Sequence, residues 1–437
     1  MRVVIVSDNI SMSMGGEASL GMYYFKLFRD KGITTHAVCH ARVRNEIDST
    51  LDRDEANCFH FVEDTKAHIF IFRLSRLFPP RIGDLIFGQF IHILTMRSAR
   101  KLVRQLRKDS DDWICLEPSP ITPRGVSLMY ALGMPVVIGP LCGGLEFPPA
   151  FRYMDRKVTR ATIKISRWLS EFLNVLIPGK KQAQAIIVAN SCTGKALPRN
   201  CRGTLHEVVE SGVDLSLWKP RAKPEGEPGS PVHFVFSGRL VDWKGVSLLV
   251  EAFRPVADRS NAVLHIIGDG ELRSAIEKCI FEMGIRDRVV LHGWKSRAEA
   301  AAIIRNCDVF VMPSLRECGG TAILEAMALG LPIVSTNWAG PSSYVDYSCG
   351  MLVDPSSKAE FVAGLTDAMT KLSENPALRR TMGAAGMERV KTCYFDWNSK
   401  ADRVLEILRQ TLEAYRAAIV SPRAIRTDAD SPGLRSP

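Results

Sequence analysis

Residues 309–335 read VFVMPSLRECGGTAILEAMALGLPIVS, and this stretch decides the fold class. Val309–Met312 is a short apolar run of the kind that forms a buried strand, and Ile333–Ser335 is a second one. Between them a Gly-Gly turn opens a helical pattern over Thr321–Leu329. A strand, a helix and a strand in this order form a right-handed unit with two parallel strands. The stretch therefore predicts an α/β domain built on a parallel sheet.

The same alternation of strands and helices continues along the rest of the chain. In the second half we predict further strands at His233–Ser237, Ala262–Ile267 and Val289–His292, and helices at Val246–Phe253, Glu271–Met283 and Arg297–Arg305. In the first half we predict strands at Arg2–Ser7, Ile33–Cys39, Trp113–Leu116, Pro135–Ile138, Ala185–Ala189 and Glu207–Glu210, and helices at Gly15–Asp30, Asp84–Lys108, Pro123–Leu132 and Tyr153–Ile177. Two doubly wound, Rossmann-like domains follow, with the active site in the cleft between them, because such sheets bind ligands at the carboxyl ends of their strands.

The boundary between the domains is predicted at a stretch rich in proline, glycine and charge. Residues 219–231 read KPRAKPEGEPGSP and show no helix or strand period, which is typical of a linker. The N-terminal domain would then span residues 1–218 and the C-terminal domain residues 232–396. Helical patterns at Lys358–Leu372, Pro376–Thr392 and Trp397–Ile419 follow. A final helix at 397–420 and a disordered, proline-rich tail at 421–437 are expected.

The composition of the 437 residues is typical of a soluble globular protein, with 46% hydrophobic and 24% charged residues. It excludes a disordered chain, a collagen and a disulfide-rich mini-protein. We expect no spanning helix and no signal peptide, because no apolar run has the required length. The eleven cysteines form no C-x-x-C pair, and several lie in apolar runs, so we expect reduced thiols in a cytoplasmic protein.

The net charge of +10 is concentrated in the first half of the chain. Residues 1–210 contain 29 Lys and Arg against 20 Asp and Glu, a balance of +9. Residues 211–437 contain 28 against 27, a balance of +1. Such an excess predicts a basic surface that faces an anionic partner, either a nucleic acid or an anionic membrane.

Residues 237–245, SGRLVDWKG, place two cations on a loop at the carboxyl end of a predicted strand. A diphosphate carries roughly two negative charges, and an arginine can bind it through two hydrogen bonds while a lysine acts as a point charge. Arg239 and Lys244 are therefore candidate ligands of a diphosphate. The alternative is an ordinary basic loop between a strand and a helix.

A second candidate site lies inside the stretch that decides the fold. Glu317 and Glu325 bracket the Gly319-Gly320 turn, eight positions apart. Glycines at a helix N-terminus let backbone amides reach a phosphate, with the helix dipole assisting. Glu325, one turn into the helix, could accept hydrogen bonds from ribose hydroxyls. The alternative is capping, with Thr321 as the N-cap residue and Glu325 as a solvated acid of the first turn.

Together these patterns resemble the family 4 glycosyltransferases, which are retaining enzymes of the two-domain GT-B type. Glu317 and Glu325 match the family's E-x7-E pair, and residues 237–245 match its diphosphate loop. Gly212-Val213-Asp214 matches the triplet that ends the first domain of the family. The helix from Trp397 resembles the last helix of this fold, which crosses back to the first domain.

The resemblance implies a role for each matching residue. Arg239 and Lys244 would hold the donor diphosphate, and Glu317 would contact the transferred sugar; these three are the catalytic candidates. Glu325 would bind the ribose of the donor. The other donor-binding candidates supply backbone to the phosphates and the sugar, contact the nucleobase or line the site: Gly15, Gly16, Gly238, Gly268, Gly293, Trp294, Gly319, Gly320, Thr321 and Leu324. For the Gly15-Gly16 pair the alternative is a plain turn before a helix.

The chain departs from the family pattern at Leu116-Glu117. Many relatives carry a histidine in place of Leu116, and that histidine contacts the donor sugar. Leucine cannot hydrogen-bond a hydroxyl, so the role is lost, moved or filled by Glu117. The loop that contains Gly139, Gly143 and Gly144 matches some relatives and is expected, like Glu117, on the acceptor side of the cleft. The alternative for this loop is a tight connection without a function.

A helical pattern at residues 152–181 gives the charge of the first half a more specific interpretation. Its basic residues are followed by an aromatic and aliphatic face at 168–177, which resembles an interfacial helix on an anionic membrane. The alternative is a core-packed helix with a solvated basic side. Nucleic acid is not expected as a partner, because neither a helix-turn-helix pattern nor an aromatic-basic platform occurs.

Three functional hypotheses follow. The first is a metal-independent retaining glycosyltransferase without a cofactor, peripheral at the cytoplasmic membrane, that transfers a sugar from a nucleotide diphosphate sugar to a lipid-linked glycan or polysaccharide precursor. The second is a non-catalytic protein that binds sugar nucleotides, in keeping with Leu116. The third, a nicotinamide-dependent oxidoreductase, needs a G-x-G-x-x-G turn that neither half supplies. Asp52-Arg53-Asp54 has the Asp-x-Asp spacing of a metal-ligand pair, but it lies in a polar, charged stretch that we assign to the loop surface. No metal site is therefore expected.

Overall fold

The computed structural model of the chain describes residues 1–77, 80–107, 111–155, 157–220 and 230–427. Within these ranges thirteen strands form two parallel sheets, one in each half of the chain. The prediction of two doubly wound α/β domains is therefore confirmed. Most of the predicted linker lies outside the described residues.

The N-terminal sheet contains the first seven strands. They are β1 (Arg2–Val6), β2 (Thr34–His40), β3 (Phe59–Val62), β4 (Trp113–Glu117), β5 (Val136–Leu141), β6 (Ala185–Val188) and β7 (Thr204–Glu207). Their spatial order is β3-β2-β1-β4-β5-β6-β7, and all neighbours are parallel. The helices of this half are α1 (Ala18–Asp30), α2 (Arg44–Thr50), α3 (Arg53–Ala56), α4 (Lys66–Ser75), α5 (Pro80–Leu106), α6 (Lys157–Leu176), α7 (Gly179–Gln182) and α8 (Ser191–Lys195).

The C-terminal sheet contains the remaining six strands. They are β8 (His233–Ser237), β9 (Val263–Ile267), β10 (Val289–Gly293), β11 (Val309–Met312), β12 (Ile333–Thr336) and β13 (Gly350–Val353). Their order is β10-β9-β8-β11-β12-β13, again with parallel neighbours. The helices of this half are α9 (Val246–Arg259), α10 (Arg273–Glu282), α11 (Arg297–Ile304), α12 (Thr321–Ala328), α13 (Pro341–Tyr344), α14 (Lys358–Glu374), α15 (Pro376–Thr392) and α16 (Trp397–Thr427).

Each sheet changes its winding direction next to its first strand. In the N-terminal sheet β1 lies between β2 and β4, and in the C-terminal sheet β8 lies between β9 and β11. A crevice forms at the carboxyl ends of the strands at such a switch point, and ligands of doubly wound sheets bind there. The loops after β1, β4, β8 and β11 therefore lie where a ligand is expected, and they carry most of the candidate residues.

The predicted helix at Pro123–Leu132 is wrong, because this segment is irregular. Its apolar residues are buried, as their spacing suggested, but its carbonyl groups are satisfied from outside. The Nζ atom of Lys180 donates to two carbonyl oxygens at the start of the segment, at 2.9 and 3.0 Å. The carbonyl of Arg124 accepts from the side chains of Ser170 and Asn174. A segment held in this way needs no helical hydrogen bonds.

Other elements were missed or placed differently. The strands β3 and β13 and the helix α4 were not predicted. The apolar run that suggested a strand at Glu207–Glu210 follows β7 instead, since Val208 and Val209 are buried without belonging to the strand. The helix α16 ends at Thr427, seven residues beyond the predicted end at residue 420. Residues 428–437 of the expected tail lie outside the described part.

The last helix returns to the first domain, as predicted. Trp397 stacks on Tyr23 of α1 with ring centroids 4.0 Å apart, and the following turns of α16 bury apolar residues in the core of the N-terminal domain. The two chain crossings between the domains are hydrogen-bonded to each other. The amide of Val213 donates to the carbonyl of Phe395 at 2.9 Å, and the amide of Trp397 donates to the carbonyl of Val213 at 3.2 Å. Among the helices that the structure describes, none is long and apolar enough to cross a bilayer.

Candidate active site

The loops after β8 and β11 are in direct contact at the switch point of the C-terminal sheet. Gly245 ends the first of these loops with a φ of 69°, and a Cβ atom there would lie 2.2 Å from the carbonyl oxygen of Pro313 in the second. Only glycine combines this backbone conformation with so close an approach. The amide of Leu315 also donates to the carbonyl of Trp243, at 2.8 Å. The two candidate constellations of the sequence therefore form one site.

Lys244 and Glu317 form an ion pair between these two loops. Their side chains are 18% and 14% exposed, so the pair is largely shielded from solvent. The second carboxylate oxygen of Glu317 accepts a hydrogen bond from the amide of Gly320 at 3.3 Å. The predicted diphosphate ligand, the predicted sugar-binding acid and the N-terminus of α12 thus lie within one hydrogen-bonded group. The N-cap residue of α12 is Gly320 rather than Thr321.

The glycines predicted to border the donor lie side by side at the carboxyl ends of three strands. The amide of Gly268 donates to the carbonyl of Gly293 at 2.8 Å, and the amide of Gly238 donates to the carbonyl of Ile267 at 3.0 Å. Next to them Arg239 is exposed, and 74% of Trp294 is exposed. At this edge of the sheet the backbone of the glycines is therefore flanked by an exposed cation, Arg239, and an exposed aromatic ring, Trp294.

Glu325 differs from the solvated first-turn acid that the capping alternative expected. It lies in the second turn of α12, its side chain is only 13% exposed, and Arg297 of α11 donates to it at 3.1 Å. Burial raises the pKa of Glu325, while the charge and hydrogen bond of Arg297 oppose the rise. Neither Glu325 nor Glu317 is a plain surface residue. Thr321 is half-buried and Leu324 is fully buried beside them.

The loop after β1, which contains Gly15 and Gly16, is hydrogen-bonded to Glu46, a residue that was not predicted from the sequence. Both glycines have positive φ angles, 62° and 54°, and a Cβ atom at either would meet open space. Glu46 of α2 accepts hydrogen bonds from the amides of Met12 and Ser13 at 2.7 and 3.0 Å. Burial alone would raise the pKa of Glu46, but these bonds and two serine hydroxyls lower it to about 2. A permanently charged carboxylate therefore fixes this loop.

Glu117, which was predicted on the acceptor side of the cleft, is buried together with its neighbour Leu116. Leu116 is fully buried and packs in the core, so it presents nothing to a ligand. Glu117 is 1% exposed and accepts a hydrogen bond from Ser127, so its side chain is not presented to the cleft as a substitute for the missing histidine. Burial raises the pKa of Glu117 to about 7, against the effects of Ser127, His92 and Lys180.

His92 of α5 forms an additional buried charge pair beside this position. Its Nδ1 atom lies 2.5 Å from Asp8, which follows β1. Burial lowers the pKa of His92, but the hydrogen bond and charge of Asp8, with Glu117 nearby, raise it to about 9. The sequence feature that could have predicted this pair is Asp8, which directly follows the first predicted strand.

Close packing accounts for Gly139, which lies inside β5, and for Gly143 and Gly144 in the loop that follows this strand. Gly139 has a φ of 115°, and a Cβ atom there would lie 2.2 Å from the carbonyl oxygen of Ile187. A Cβ atom on Gly144 would lie 2.2 Å from that of Ala196, and Gly143 is hydrogen-bonded to Thr193. The loop is therefore tightly packed against β6 and α8, which accounts for its glycines without a ligand.

The two domains touch through this same loop. Cys142 forms a disulfide with Cys318, which lies between Glu317 and Gly319 in the C-terminal domain. The Nε1 atom of Trp338 also donates to the carbonyl of Glu146 at 2.9 Å, across the domains. The expectation of reduced thiols throughout is therefore wrong for this pair. Among the other cysteines, Cys192 is an exposed free thiol.

The carboxylate of Asp52 accepts a hydrogen bond from the amide of Glu55 at 2.8 Å and so caps the N-terminus of α3. This acid therefore has a structural role in the helix. In the described ranges, no group of three or more His, Cys, Asp or Glu side chains is arranged to hold a metal ion.

Residues 220–389 match the family model described as "Glycosyl transferases group 1". These residues contain both loops of the Lys244–Glu317 pair. The C-terminal domain belongs to the group 1 glycosyltransferases. The whole chain has the GT-B fold of this group, with two Rossmann-like domains and the returning last helix.

Two curated relatives show how much of the chain is similar to known glycosyltransferases. A D-inositol 3-phosphate glycosyltransferase of Arthrobacter sp. (strain FB24) is 32% identical over 228 residues, which is 49% of this chain and 50% of the relative. The lipopolysaccharide core biosynthesis glycosyltransferase LpsD of Rhizobium meliloti (strain 1021) is 32% identical over 166 residues, 38% of this chain and 46% of the relative. The chain thus spans about half the length of the curated relatives that it matches.

Solved structures are similar over nearly the whole chain. A glycosyltransferase from Rickettsia africae superposes with a TM-score of 0.61 at 14% identity, covering 94% of this chain and 98% of the other. Anabaena HepE in complex with UDP gives a TM-score of 0.59 at 14% identity, covering 94% and 100%. At such identities the likeness establishes the fold alone.

Proposed function

We propose that this chain is a retaining glycosyltransferase that transfers a sugar from a nucleotide diphosphate sugar to a hydroxyl acceptor. The observation that carries the proposal is the contact between Lys244 and Glu317 at the N-terminus of α12. It places a cation for a diphosphate and a carboxylate for a sugar at one switch point, where a ligand is expected. Retention is inferred from the resemblance to family 4.

The donor diphosphate would bind by replacing Glu317 as the partner of Lys244. Arg239, which is exposed at the same edge, would add a bidentate contact, and the amides at the start of α12 would receive a phosphate oxygen. Glu325, held by Arg297, would accept hydrogen bonds from the ribose. The chain itself supplies these cations, and we propose transfer without a metal ion on that ground.

During transfer the bond between the anomeric carbon and the diphosphate oxygen breaks, a new bond forms to the acceptor oxygen, and the proton of the acceptor hydroxyl passes to the leaving diphosphate. Negative charge grows on the leaving diphosphate, which Lys244 and Arg239 would stabilise. Positive charge grows on the sugar ring, and a carboxylate freed from Lys244 would stabilise it. Glu317 would therefore act more strongly in the transition state than in the bound donor.

A thermal-shift panel of nucleoside diphosphates tests the donor site. Binding stabilises the folded protein by about 2.7 kcal/mol at a ligand concentration of about 100 Kd. We expect the diphosphate of one base to raise the melting temperature by a few degrees and its monophosphate to raise it less, because the cations bind the second phosphate. A panel in which no nucleotide shifts the melting temperature would contradict the donor proposal.

We further propose a lipid-linked glycan as the acceptor, in the synthesis of an envelope or extracellular polysaccharide. The name of the LpsD relative motivates this choice. The +9 balance of residues 1–210 motivates it independently, since a basic domain is attracted to the anionic cytoplasmic leaflet.

The α6 helix supports a membrane-facing orientation of the first domain. Part of its apolar side packs on the core, through Leu173, but the larger part of the described turns does not: Trp168, Leu169, Phe172, Val175 and Leu176 are all exposed. The rings of Trp168 and Phe172 stack on each other, and 71% of Trp168 is exposed. Arg167 beside them pairs with Glu146. An exposed aromatic stripe on a basic domain is the pattern of a helix that lies in the lipid interface.

Replacing both Trp168 and Phe172 with serine is expected to lower binding to anionic vesicles at least about tenfold, because each ring loses about 1.5–3 kcal/mol of burial. Co-sedimentation with phosphatidylglycerol vesicles measures this, and binding of the unchanged chain should fall with salt. Phe281→Ser is the matched control, since this ring is 70% exposed on α10 of the other domain. Equal binding to neutral and anionic vesicles would count against the proposal.

A non-catalytic protein that binds sugar nucleotides remains the second candidate, favoured by the burial of Leu116. It predicts a thermal shift with a nucleotide sugar but no release of the nucleoside diphosphate. Measuring that release with the same nucleotide sugar separates the two.

A further inference from the structure

The Cys142–Cys318 disulfide joins the two domains beside the proposed donor site. Cys142 follows β5 in the N-terminal domain, and Cys318 is the residue after Glu317 in the C-terminal domain. The two cysteines are 176 positions apart in the chain, and their Cα atoms lie 6.2 Å apart. The bond therefore crosses the cleft at the loop that carries the proposed catalytic acid.

Each end of the bond is held firmly in its own domain. The amide of Cys142 donates to the carbonyl of Ile121 at 2.7 Å, and the neighbouring Gly143 is hydrogen-bonded to Thr193. The carbonyl of Cys318 accepts from the hydroxyl of Tyr344 at 3.1 Å. A covalent bond between two anchored loops holds their domains together, whereas a bond between two flexible arms would not.

We propose that Cys142–Cys318 is a thiol–disulfide exchange site whose partner is a dithiol reductant, and that its reduction allows the cleft to open. The consequence for donor entry rests on the proposed function. While the bond is intact, the domains cannot separate at the Glu317 loop, so the Lys244–Glu317 pair stays enclosed. After reduction, noncovalent contacts remain nearby: the hydrogen bond between Trp338 and Glu146, the guanidinium of Arg316 over the ring of Phe147, and the packing of Phe151 on Phe361. Unlike the disulfide, these contacts can break and re-form.

The exchange balances as follows. One thiolate of the reductant attacks the sulfur of Cys318, which is half-buried, whereas Cys142 is 7% exposed. The S–S bond breaks and Cys142 leaves as a thiolate, so a mixed disulfide links Cys318 to the reductant. The second thiol of the reductant, as its thiolate, then displaces Cys318. The protein gains two electrons and two protons, and the reductant loses them to form its own disulfide.

Differential labelling measures the bond directly. The full-length protein is alkylated under denaturing conditions with and without prior dithiothreitol, and its peptides are identified by mass spectrometry. We expect Cys142 and Cys318 to be labelled only after reduction and to occur as one linked peptide without it. Cys192 is the control, because it is an exposed free cysteine and should be labelled in both samples. Labelling of Cys142 and Cys318 in unreduced protein would overturn the proposal.

Opening is measured in two ways. Small-angle scattering should give a larger radius of gyration after reduction, and this readout needs no nucleotide. Stopped-flow tryptophan fluorescence with UDP and with GDP should give association about tenfold slower in the oxidised protein, since the binding-competent state is then a minor one. Trp243, 36% exposed beside Lys244, is a suitable reporter.

Two variants separate the disulfide from general redox effects. Cys142→Ser should show the same radius of gyration and the same association rate with and without dithiothreitol, whereas Cys192→Ser should respond like the unchanged chain. A radius of gyration that is independent of redox state in the unchanged chain overturns the proposal. If neither UDP nor GDP binds in either state, the nucleoside diphosphate found by thermal shift is used in their place. If the whole panel gives no binding, the donor proposal fails instead, and scattering alone then decides whether the disulfide controls opening.

Discussion

Replacing Glu317 with glutamine is expected to lower kcat by about two to three orders of magnitude, the usual loss when one preorganised electrostatic contact to a transition state is removed. Glutamine keeps the shape and the hydrogen bond to the Gly320 amide but loses the charge that would stabilise the sugar ring. Donor KM should change much less than kcat, because the contact strengthens only in the transition state. Release of the nucleoside diphosphate at saturating donor is the measurement.

Glu325→Gln is the matched control for this prediction. Both acids are mostly buried and both pair with a cation, Glu317 with Lys244 and Glu325 with Arg297. Glu325 is proposed to bind the ribose, and that contact is similar before and during transfer. Its loss should therefore raise donor KM more than it lowers kcat. Full turnover by Glu317→Gln would show that the assignment of roles is wrong and that Glu317 serves only as a helix cap.

Replacing Lys244 with alanine is expected to weaken binding of the nucleoside diphosphate by about 2–4 kcal/mol, the range for removing one partner of a shielded charge pair. Arg239→Ala should also weaken binding, but by less, because Arg239 is exposed to solvent. Calorimetric titration of the nucleotide identified by thermal shift gives both values. Donor affinity should remain unchanged in Lys278→Ala, whose side chain is 75% exposed on α10.

The melting temperature of Lys244→Ala must be measured beside its affinity, since the variant leaves Glu317 without its ion-pair partner. A variant that stays folded and binds the nucleotide as tightly as the unchanged chain would falsify the diphosphate assignment.

The sheets could be predicted because parallel strands buried on both faces appear as short continuous apolar runs. Val309–Met312 and His233–Ser237 match the observed strands in full. The segment Pro123–Leu132 has the apolar spacing of a helix, but side chains far along the chain, Lys180 and Ser170 among them, bind its carbonyl groups instead. Local pattern therefore predicted elements well where hydrogen bonds are local or within a sheet, and failed where a distant side chain satisfies the backbone.

The candidate site was predicted as a set of residues but not as a set of contacts. The burial of Glu325 and its ion pair could not be predicted, because they depend on Arg297 from another helix. The pairing of Cys142 with Cys318 could not be predicted, since the spacing of scattered cysteines carries no information on which of them meet. The apolar side of α6 was visible in the sequence, but whether it faces the core or the exterior depends on the packing of the whole domain.

The return of α16 to the first domain has a consequence for engineering this chain. The N-terminal folding unit is discontinuous in sequence: a fragment of residues 1–218 would expose the surface of α1 that Trp397 and the rest of α16 cover. An exchange of donor domains with a relative must therefore keep residues 397–427 with the first domain. Because the crossings at Val213 and Phe395 are hydrogen-bonded side by side, they form a single two-stranded joint. A chimera must therefore match both strands of this joint.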